Sequence, residues 1–572
     1  MEYSAIFHDM DKRFSYAVDK DLFVIRVQVK KDDMKEVILH YEDKYIPIER
    51  KDTRMTLPMK KVATSQFHDY YEAQLQMHLI CLRYFFEFTD MQGEKVYYGN
   101  YEFDKECITN RDRMFDCPQN LREEEMFEVP EWAANKVVYQ IFPSRFAATE
   151  PVDKELWYKA PITPMDDLHG NLRGIIEHMD DIQNLGIDVL YMTPIFQSNS
   201  CHKYDTTDYY QIDPSFGTTE DLKELVQKAH ERGMKVVLDA VYNHTGREFF
   251  AFADILENGE KSKYRDWYFI DGFPLKSEWG EIPNFKCFGY YGGMPKLNLK
   301  NPEVEKYITD VACYWIKECD IDGWRLDVGD EISHFFWKNF RKAVKAVKKD
   351  MLIIGEIWHY AGDFLEGDEW DTVMNYPFYL NLIDLLADEK ITVSQFVQNL
   401  GYLKGRLNKN CYPLMWNLID SHDTARFLHL CNDNKKKQHL AAAFQLLLPG
   451  MPMIYYGDEY AMPGANDPDC RRGMYWDEEY QDKEMYEWYK RLIQVRKSHA
   501  CIVEGELAGS VTEDEEGTVV LIRKNGEETI AMIFNCSSSA KKFNEYTQKY
   551  NLLTENTFDG NVEGFDAAVI VL

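Results

Sequence analysis

Eight short apolar runs between about residues 131 and 500 constrain the fold of this chain more than any other feature. Each run is apolar without polar alternation, as expected of parallel strands that are buried on both faces. Helical patterns lie between the runs, so eight strand–helix alternations predict an α/β chain with a (β/α)8 TIM barrel. The predicted strands are 137–142, 189–192, 236–239, 323–326, 352–354, 372–374, 414–416 and 453–456.

Two segments between these strands carry clear helix signals. Thr218 and Asp221 have the spacing of a capping box, and Gly233 is placed to end the helix that they start. Asn301 and Pro302 combine an N-cap residue with a proline at the first helical position. Apolar residues recur at helical spacing after each start. They are Leu222, Leu225, Val226 and Ala229 in the first helix, and Val304, Ile308, Val311 and Trp315 in the second.

The chain on either side of the barrel has the pattern of β structure. Residues 1–125 are expected to form an N-terminal β-sandwich, and residues 501–572 a C-terminal antiparallel β domain of the sandwich type. The barrel is assigned to 131–500, after a linker at 121–130. The stretch at about 245–298, after the third strand, is too long for a simple loop and predicts an inserted subdomain. The flanking strand candidates are 22–29, 35–41, 81–88, 518–522 and 529–533.

The net charge of −31 limits the partners of this chain. Nucleic acid is excluded as a partner, because phosphate binding rests on Lys and Arg, and an anionic membrane surface is disfavoured for the same reason. No apolar run has the length of a membrane span, and the first residues lack a secretory signal. Twelve cysteines show no CxxC pair and no Cys/His ligand spacing. They indicate a reducing compartment, so a cytoplasmic location is expected.

Ionisable residues follow the predicted barrel strands at the point where the strands end. Asp239 ends the third strand, Asp327 follows the fourth, Glu356 follows the fifth, and Asp423 lies beyond the seventh. Barrel enzymes carry their catalytic groups at this end. A carboxylate directly after a buried run is costly unless it is paired or functional. Four of them at one end of a barrel favour a catalytic site over structural ion pairs.

Hydrolysis of a glycosidic bond needs two carboxyl groups, one that attacks the anomeric carbon and one that protonates the leaving oxygen. Asp327 and Glu356, on consecutive strands, are the candidates for this pair. Arg325 lies on the same strand face as Asp327 and is placed to keep that carboxylate ionised and oriented. The alternative interpretation is a buried ion pair with Arg325. Asp239 is interpreted as structural.

Several short segments occur in a fixed order along the barrel. The segments DAVYNH at 239–244, GWRLDV at 323–328, GEIW at 355–358 and SHD at 421–423 resemble the four signatures of glycoside hydrolase family 13. The segment MPKLN at 294–298 is similar to the cyclomaltodextrinase, neopullulanase and maltogenic amylase group of that family. Segments 138–146 and 450–459 match at the first and last strands, and the N-terminal domain looks like a family 34 carbohydrate-binding module. Each motif is short, but all of them in order are specific.

The resemblance implies a role for each matching residue. Asp327 would be the nucleophile, Glu356 the general acid/base, and Asp423 the carboxylate that holds the sugar hydroxyls in the distorted transition state. Substrate contacts are implied on both sides of the cleaved bond. These would come from Arg325, from His244 and His422 as hydrogen-bonding groups, from Tyr204 beneath the sugar ring, from Asp467 and Arg471 at its 4-hydroxyl end, and from Trp358, Phe288 and Tyr376 on the leaving-group side.

Two departures from the family pattern change expectations. Many relatives carry a calcium loop after the first strand and a Gly-Asp pair further on, where this chain has FAATE at 146–150 and Gly170-Asn171. Because calcium needs several charged oxygen ligands, this site is expected to be weakened or lost, and no cofactor is assigned. The second signature continues with Gly329-Asp330-Glu331, which adds a carboxylate at Asp330.

The expected function is retaining hydrolysis of α-1,4-glucosidic bonds in cyclodextrins, maltooligosaccharides or pullulan. Cleavage of α-1,6 bonds and transglycosylation are included as further activities. The alternatives are a glucan transferase, an α-1,6-preferring glucosidase, and a non-catalytic sugar-binding protein on the same fold. The resemblance also implies a homodimer.

Overall fold

A computed structural model of the chain describes residues 1–47, 54–76, 80–100, 102–118, 126–276 and 282–572. The chain divides into two compact units. The first unit comprises Met1–Val129, Tyr360–Asp371 and Ile391–Tyr412, and the second comprises Pro130–His359, Thr372–Lys390 and Pro413–Leu572. Among the described residues, no helix combines the length and the apolar character needed to cross a bilayer.

The second unit contains the predicted barrel, and all eight strands are parallel to their neighbours. Every residue of these strands is buried except the first residue of the third, which explains why the strands read as unbroken apolar runs. They are β1 (Val138–Ile141), β2 (Val189–Met192), β3 (Lys235–Ala240), β4 (Gly323–Leu326), β5 (Leu352–Gly355), β6 (Thr372–Val373), β7 (Trp416–Asn417) and β8 (Met451–Tyr455).

The order of the strands around the sheet is β6-β5-β4-β3-β2-β1-β8-β7. A parallel bridge between Met374 and Trp416, with the Asn375 amide donating to the Trp416 carbonyl at 2.8 Å, brings β6 beside β7 and nearly closes the barrel. The observed position of β7 differs from the predicted strand by more than a shift of its ends. It begins at Trp416, not 414, because Tyr412–Leu414 forms a 3-10 turn around Pro413, which has no amide hydrogen for a strand ladder.

Helices alternate with the strands as the sequence predicts. The capping box at Thr218 and Asp221 is present, and the helix that it starts ends at Glu231, two residues before Gly233 with its positive φ of 74°. The Asn301 side chain caps the helix that begins at Pro302. Outside the insertion, the α-helices of six or more residues in the second unit are Leu172–Glu177, Met179–Leu185, Thr219–Glu231, Pro302–Cys319, His334–Val347, Tyr376–Leu382, Lys435–Leu447 and Lys483–Ser498.

The insertion predicted after the third strand is present between β3 and the helix Pro302–Cys319. It contains the helix Phe250–Asn258, short 3-10 turns and isolated antiparallel bridges, among them Ile270 to Phe285 and Cys287 to Pro295. Residues 277–281 of the insertion lie outside the described residues. The bridge from His244 to Lys296 joins the two ends of the insertion directly after β3, so the segment is anchored at the catalytic end of the barrel.

The first unit contains two antiparallel sheets with a shared apolar core. The helix Val393–Arg406 belongs to this unit and packs on the strand Lys60–Thr64 through Gly401, where a Cβ atom would lie 1.9 Å from the Thr64 carbonyl oxygen. The predicted linker at 121–130 falls partly on residues 119–125, which lie outside the described residues. The sheet strands are Ser15–Ala17, Leu22–Lys30, His68–Gln76 and Lys60–Thr64 in one sheet, and Met55–Pro58, Met34–Asp43, Cys81–Asp90, Lys95–Tyr98, Phe103–Asp104 and Phe115–Pro118 in the other.

The end of the chain forms the predicted antiparallel β structure. The strands Thr518–Asn525 and Glu528–Asn535 pair in the register of a hairpin, and alternating residues of the sheet bury a small apolar core. The six-stranded sheet has the order Glu506–Glu513, Thr518–Asn525, Glu528–Asn535, Asp566–Val571, Tyr550–Asn551 and Asn556–Thr557, and a separate ladder joins Lys541–Lys542 to Asn561–Val562.

Asp322 lies just before β4, at the barrel end opposite the catalytic residues, and contacts several neighbouring segments. Its carboxylate accepts a hydrogen bond from the Val236 amide at 2.9 Å and lies 2.6 Å from His230 Nε2, 2.9 Å from Lys235 Nζ and 3.0 Å from Lys348 Nζ. Burial by itself would raise the pKa of Asp322, but the hydrogen bond from His230 and the charge of Lys348 lower it to about 2.

The substitution Asp322→Asn is expected to lower the free energy of unfolding by about 2 to 3 kcal/mol at pH 7. The fold favours the ionised carboxylate, so its contribution is complete above about pH 4 and is lost as the pH falls towards 2. Urea unfolding of the wild type and the variant measures the loss. The kcat should stay within about twofold of the wild-type value, because a carboxylate at the opposite barrel end does not touch the reacting groups. An unchanged unfolding free energy would contradict the prediction.

Candidate active site

The carboxylates singled out in the sequence meet at the carboxyl ends of the barrel strands. Asp239 is the last but one residue of β3, Asp327 directly follows β4, and Glu356 directly follows β5. His422 and Asp423 lie in the loop after β7. Because neighbouring parallel strands end at the same side of a barrel, side chains that are distant in sequence converge there.

The guanidinium group of Arg325 lies at the centre of these carboxylates and is fully buried. Its Nη1 donates to both oxygens of Asp239, at 3.1 and 3.0 Å, and to Asp327 Oδ1 at 2.8 Å. Its Nη2 lies 2.8 Å from Glu356 Oε2 and 4.0 Å from Asp423 Oδ2. One cation therefore contacts both candidate catalytic carboxyls.

Three buried carboxyls and the partly exposed Asp423 around one buried guanidinium carry an excess of negative charge. Burial raises the pKa of Asp327 well above its ordinary value, and Glu356 adds to this while Arg325 opposes it. Burial likewise raises the pKa of Asp239 to about 6 and raises that of Asp423, in both cases against Arg325. Burial therefore makes Asp239, Asp327 and Asp423 keep a proton more readily than exposed carboxyls would, and Arg325 limits this effect.

The carboxyl group of Glu356 is held by two further donors. The Val328 amide donates to Oε2 at 2.9 Å, and the Trp358 indole donates to Oε1 at 3.1 Å. Val328 adopts a left-handed conformation with φ of 47°, which is rare for a β-branched residue. This strained turn, directly after Asp327, aims the amide at Glu356, and strain of this kind occurs where the surrounding structure fixes a functional geometry.

Tyr204 and His422 form a stacked pair beside Asp239, with ring centroids 5.5 Å apart and planes 4° from parallel. The Tyr204 hydroxyl donates to Asp239 Oδ2 at 3.0 Å and lies 2.5 Å from His422 Nε2. Gln140 Nε2 lies 2.7 Å from the other ring nitrogen of His422. Burial, together with the charges of Arg471 and Arg325, lowers the pKa of His422 well below its ordinary value. The ring is therefore neutral and serves as an oriented hydrogen-bonding group.

Arg471 connects His422 to the carboxylates of Asp423 and Asp467. Its Nε donates to the His422 carbonyl at 2.8 Å, its Nη1 lies 2.8 Å from Asp467 Oδ1, and its Nη2 lies 3.5 Å from Asp423 Oδ1. The Asp423 side chain is 29% exposed, in contrast to the nearly buried Asp327. The side chains of Asp423 and Asp467 thus contact Arg471 and are both partly accessible.

Aromatic side chains lie beside Glu356 and beside His244. Trp358 stacks on Tyr376 with centroids 3.9 Å apart and planes at 14°. Phe288, from the insertion, stacks on His244 at 5.1 Å and 12°. His244 Nε2 in turn lies 3.1 Å from the Tyr204 carbonyl oxygen. All twelve residues expected from the sequence therefore belong to one connected set of contacts.

Three residues of this set were not expected from the sequence. Gln140 in β1 hydrogen-bonds His422. Tyr191 in β2 donates its hydroxyl hydrogen to Asp239 at 2.6 Å. Both lie inside apolar runs, where a single polar residue facing the barrel interior was the only available signal. The strained backbone of Val328 had no signal, since a valine gives no indication of a left-handed turn.

The two segments where a weakened calcium site is expected, 146–150 and Gly170-Asn171, are joined by a side-chain hydrogen bond. The Asn171 side chain donates to Thr149 Oγ1 at 3.1 Å and to the His169 carbonyl at 3.3 Å, while its oxygen caps a helix by accepting from the Gly174 amide. The oxygen that could bind a cation is thus used inside the protein. Across the described ranges, no three His, Cys, Asp or Glu side chains are grouped as metal ligands.

The fold and the site together define a glycoside hydrolase built on a (β/α)8 barrel, with paired carboxyls at the strand ends. The family description "Alpha amylase, catalytic domain" matches residues 140–480, and "Alpha amylase, N-terminal ig-like domain" matches residues 1–119. The chain belongs to the α-amylase family, glycoside hydrolase family 13, as the sequence resemblance predicted.

Several similar proteins place the chain within this family. It is 42% identical to a cyclomaltodextrinase of Geobacillus thermopakistaniensis (94% of this chain and 92% of the relative) and 40% identical to neopullulanase 2 of Thermoactinomyces vulgaris (93% and 90%). An intracellular maltogenic amylase of Bacillus subtilis is 38% identical (94% and 91%). A solved cyclomaltodextrinase structure superposes with a TM-score of 0.94, 37% identity and full coverage of both chains. The chain is an α-glucan hydrolase of the cyclomaltodextrinase, maltogenic amylase and neopullulanase type.

Proposed function

We propose that this protein hydrolyses α-1,4-glucosidic bonds with retention of anomeric configuration, with Asp327 as nucleophile and Glu356 as general acid/base. The observation that carries the proposal is the shared ion pairing of both carboxyls with Arg325, at 2.8 Å from Nη1 to Asp327 and 2.8 Å from Nη2 to Glu356. Two carboxyls on one guanidinium are close enough to flank a single linkage, and retaining enzymes need a separation of about 5–5.5 Å.

The division of roles follows from what each carboxyl contacts. Asp327 is fixed by Arg325, whose positive charge opposes the effect of burial on its pKa, and its second oxygen attacks the anomeric carbon in the ionised form. Glu356 gives its proton to the glycosidic oxygen as the bond to the leaving sugar breaks and a glucosyl ester forms on Asp327. The ionised Glu356 then takes a proton from water, which attacks the ester and releases the product with the original configuration. A sugar hydroxyl in place of water gives transglycosylation.

Asp423 and its neighbours act on the sugar ring and not on the bond that breaks. Asp423, held beside Arg471, accepts hydrogen bonds from hydroxyls of the distorted sugar, and these strengthen as positive charge develops at the anomeric centre. The flat surface of Tyr204 supports the ring, with His422 and His244 as hydrogen-bonding groups. The pair Asp467 and Arg471 binds the 4-hydroxyl end, while Trp358, Tyr376 and Phe288 contact the leaving sugar.

Small neutral α-glucans are the proposed substrates: cyclodextrins, maltooligosaccharides and pullulan, with α-1,6 cleavage as a further activity. The names of the relatives, cyclomaltodextrinase, maltogenic amylase and neopullulanase, support these substrates. The charge of −31 does not oppose a neutral sugar, whereas it would repel a polyanion. A glucan transferase or an α-1,6-preferring glucosidase differs only in acceptor and linkage, and product analysis separates them.

A panel of β-cyclodextrin, pullulan, soluble starch and maltotriose tests the proposal. We expect cyclodextrin and maltotriose to give maltose and glucose, with starch the slowest substrate. Proton NMR during the first minutes should show the α-anomer before mutarotation. A β-anomer as first product would overturn the retaining mechanism. Glucans longer than the substrate, formed in place of hydrolysis products, would favour the transferase. Tight maltotriose binding without any product would favour the non-catalytic sugar-binding protein.

We further propose a homodimer in the cytoplasm. The resemblance to the cyclomaltodextrinase group supports the dimer, and light scattering after size-exclusion chromatography measures it. The intracellular maltogenic amylase of Bacillus subtilis and the twelve free cysteines of this chain support the location, because free thiols persist in a reducing compartment.

A further inference from the structure

A hairpin of the insertion carries three aromatic residues at its tip. The hairpin is closed by the antiparallel bridge between Cys287 and Pro295 and by the Phe288 amide, which donates to the Met294 carbonyl at 3.0 Å. We call its exposed rings, Phe288, Tyr290 and Tyr291, the aromatic tip. The segment 288–293 contains no charged side chain, so its surface suits an uncharged partner.

Tyr290 has a backbone conformation that its own side chain does not favour. Gly289 and Tyr290 both have positive φ, 59° and 60°, which is ordinary for glycine and rare for an aromatic residue. The strained backbone turns the Tyr290 side chain outwards, where it is 91% exposed. Folding gains almost no burial from this ring, so neither local preference nor packing accounts for a tyrosine at this position.

The base of the hairpin is joined to the acid/base side of the active site. Lys296 contacts the Asn243 side chain and lies 3.1 Å from Glu331 Oε2. Glu331 belongs to the turn that starts with Val328, whose amide donates to Glu356 at 2.9 Å. Within the aromatic tip, Phe288 stacks on His244 and is the least exposed ring, at 36%. Tyr290 therefore lies further out than Phe288, on a hairpin whose base is joined to the turn that donates to Glu356.

We propose that Tyr290 is a substrate-contacting residue that determines specificity. Its ring stacks on a glucosyl unit of the leaving chain beyond the first, and it thereby favours long or cyclic α-glucans over maltotriose. This inference rests on the proposed function of the same site. Glucose rings have apolar faces that pack on aromatic rings, and an exposed phenol ring offers such a face without an opposing charge. The cost of holding the ring outwards is compensated only when a sugar covers it.

Kinetics of Tyr290→Ala provides the first test. The KM for β-cyclodextrin should rise about five- to tenfold, while kcat stays within about twofold, as the loss of one stacking contact predicts. The kcat/KM for release of the reducing-end glucose from maltotriose, a cleavage that places no sugar beyond the first leaving unit, should change by less than about twofold. Ile282→Ala is the matched control, since Ile282 is an equally exposed apolar residue of the same insertion (87%). An unchanged KM for β-cyclodextrin, or an equal rise for maltotriose, overturns the proposal.

Tyr290→Gly separates substrate contact from a structural role. Glycine adopts positive φ without strain, so the Tm should be unchanged or higher although the KM for β-cyclodextrin rises as in the alanine variant. A packing residue would show the reverse, a lower Tm. A lower Tm together with an unchanged KM would contradict the proposal.

Binding measurements distinguish failure of this inference from failure of the proposed function. In a Glu356→Gln background, titration calorimetry with β-cyclodextrin should show a Kd about five- to tenfold higher when Tyr290 is alanine. If that dependence is found but the wild type does not hydrolyse β-cyclodextrin, the proposed function is wrong and the contact stands. If the Glu356→Gln protein does not bind β-cyclodextrin, or binds it equally well with either residue at 290, this inference is wrong.

Discussion

Asp327→Asn should lower kcat on maltotriose and β-cyclodextrin by about four orders of magnitude or more while leaving the protein at least as stable as the wild type. An amide cannot form the glucosyl ester, and removal of a nucleophile leaves only the catalysis that binding and electrostatics provide. The asparagine oxygen can still accept from Arg325 Nη1, as the Asp327 oxygen does at 2.8 Å. The geometry of the site should therefore survive the loss of activity.

The stability expectation follows from the direction of the pKa shift. Burial raises the pKa of Asp327 well above its ordinary value. The folded state therefore disfavours the ionised carboxylate, and the stability that the protonated form confers at low pH is lost as the pH rises through the folded-state pKa. A neutral asparagine removes this penalty at pH 7, so its Tm should be equal to or higher than that of the wild type.

Asp322→Asn provides the matched comparison for Asp327→Asn, because both aspartates flank the same strand, β4, at opposite ends. The first variant should lose stability and keep kcat, and the second should lose kcat and keep stability. Calorimetric Tm and steady-state kinetics measure both. Mass spectrometry of the wild type treated with a fluorinated glucosyl fluoride should find the sugar on the peptide containing Asp327. A kcat within tenfold of wild type in Asp327→Asn, or a label on another carboxylate, would falsify the assignment.

The barrel could be predicted because its strands are buried on both faces. β2 and β4 have the bounds expected from the sequence, and β1, β3, β5, β6 and β8 differ only at their ends. Their apolar runs cannot be confused with amphipathic strands, and the helices between them carry caps that act locally. The catalytic end follows from the barrel, since the residue after each strand is placed by topology and not by a long-range contact.

Features that depend on contacts between distant segments could not be predicted. The grouping of Val393–Arg406 with the N-terminal strands depends on Gly401, which lets the helix backbone approach the Thr64 carbonyl, and a glycine in a helix has no unique meaning in a sequence. Arg26 also bonds the Gly405 and Leu407 carbonyls, at 2.9 and 2.8 Å. An arginine within a strand pattern does not identify such acceptors in advance.

The left-handed residues of the site escaped prediction for a different reason. Sequence rules assign positive φ to glycine, asparagine and aspartate, so they give no signal at a valine such as Val328 or a tyrosine such as Tyr290. At both positions the fold imposes a backbone conformation that the residue does not prefer locally. Strain of this kind is expected where function, and not stability, selects the residue. It marks both the backbone donor to Glu356 and the exposed ring of the aromatic tip.

Glu356→Ala should lower kcat on β-cyclodextrin about 10³- to 10⁴-fold, but the size of the loss should depend on the leaving group. A sugar alcohol leaves only when protonated, so cleavage of β-cyclodextrin needs the acid. Fluoride leaves without a proton, so the first step with α-maltosyl fluoride should proceed almost as in the wild type. Hydrolysis of the resulting ester then becomes rate-limiting, because no base remains to activate water. A burst of fluoride release followed by a slow phase is the expected signature.

Azide tests the two carboxyl roles against each other, because it is a small nucleophile that needs no base. In Glu356→Ala it should attack the ester on Asp327 and restore turnover of α-maltosyl fluoride, and the product should be α-maltosyl azide after two inversions. In Asp327→Ala it should enter the space left by the nucleophile and attack the sugar directly, so that one inversion gives the β-azide. Opposite anomers from the two variants follow only if Asp327 lies below the sugar and Glu356 beside the leaving oxygen. The same anomer from both variants, or rescue of neither, would contradict the geometry set by Arg325, which holds one carboxyl on each terminal nitrogen.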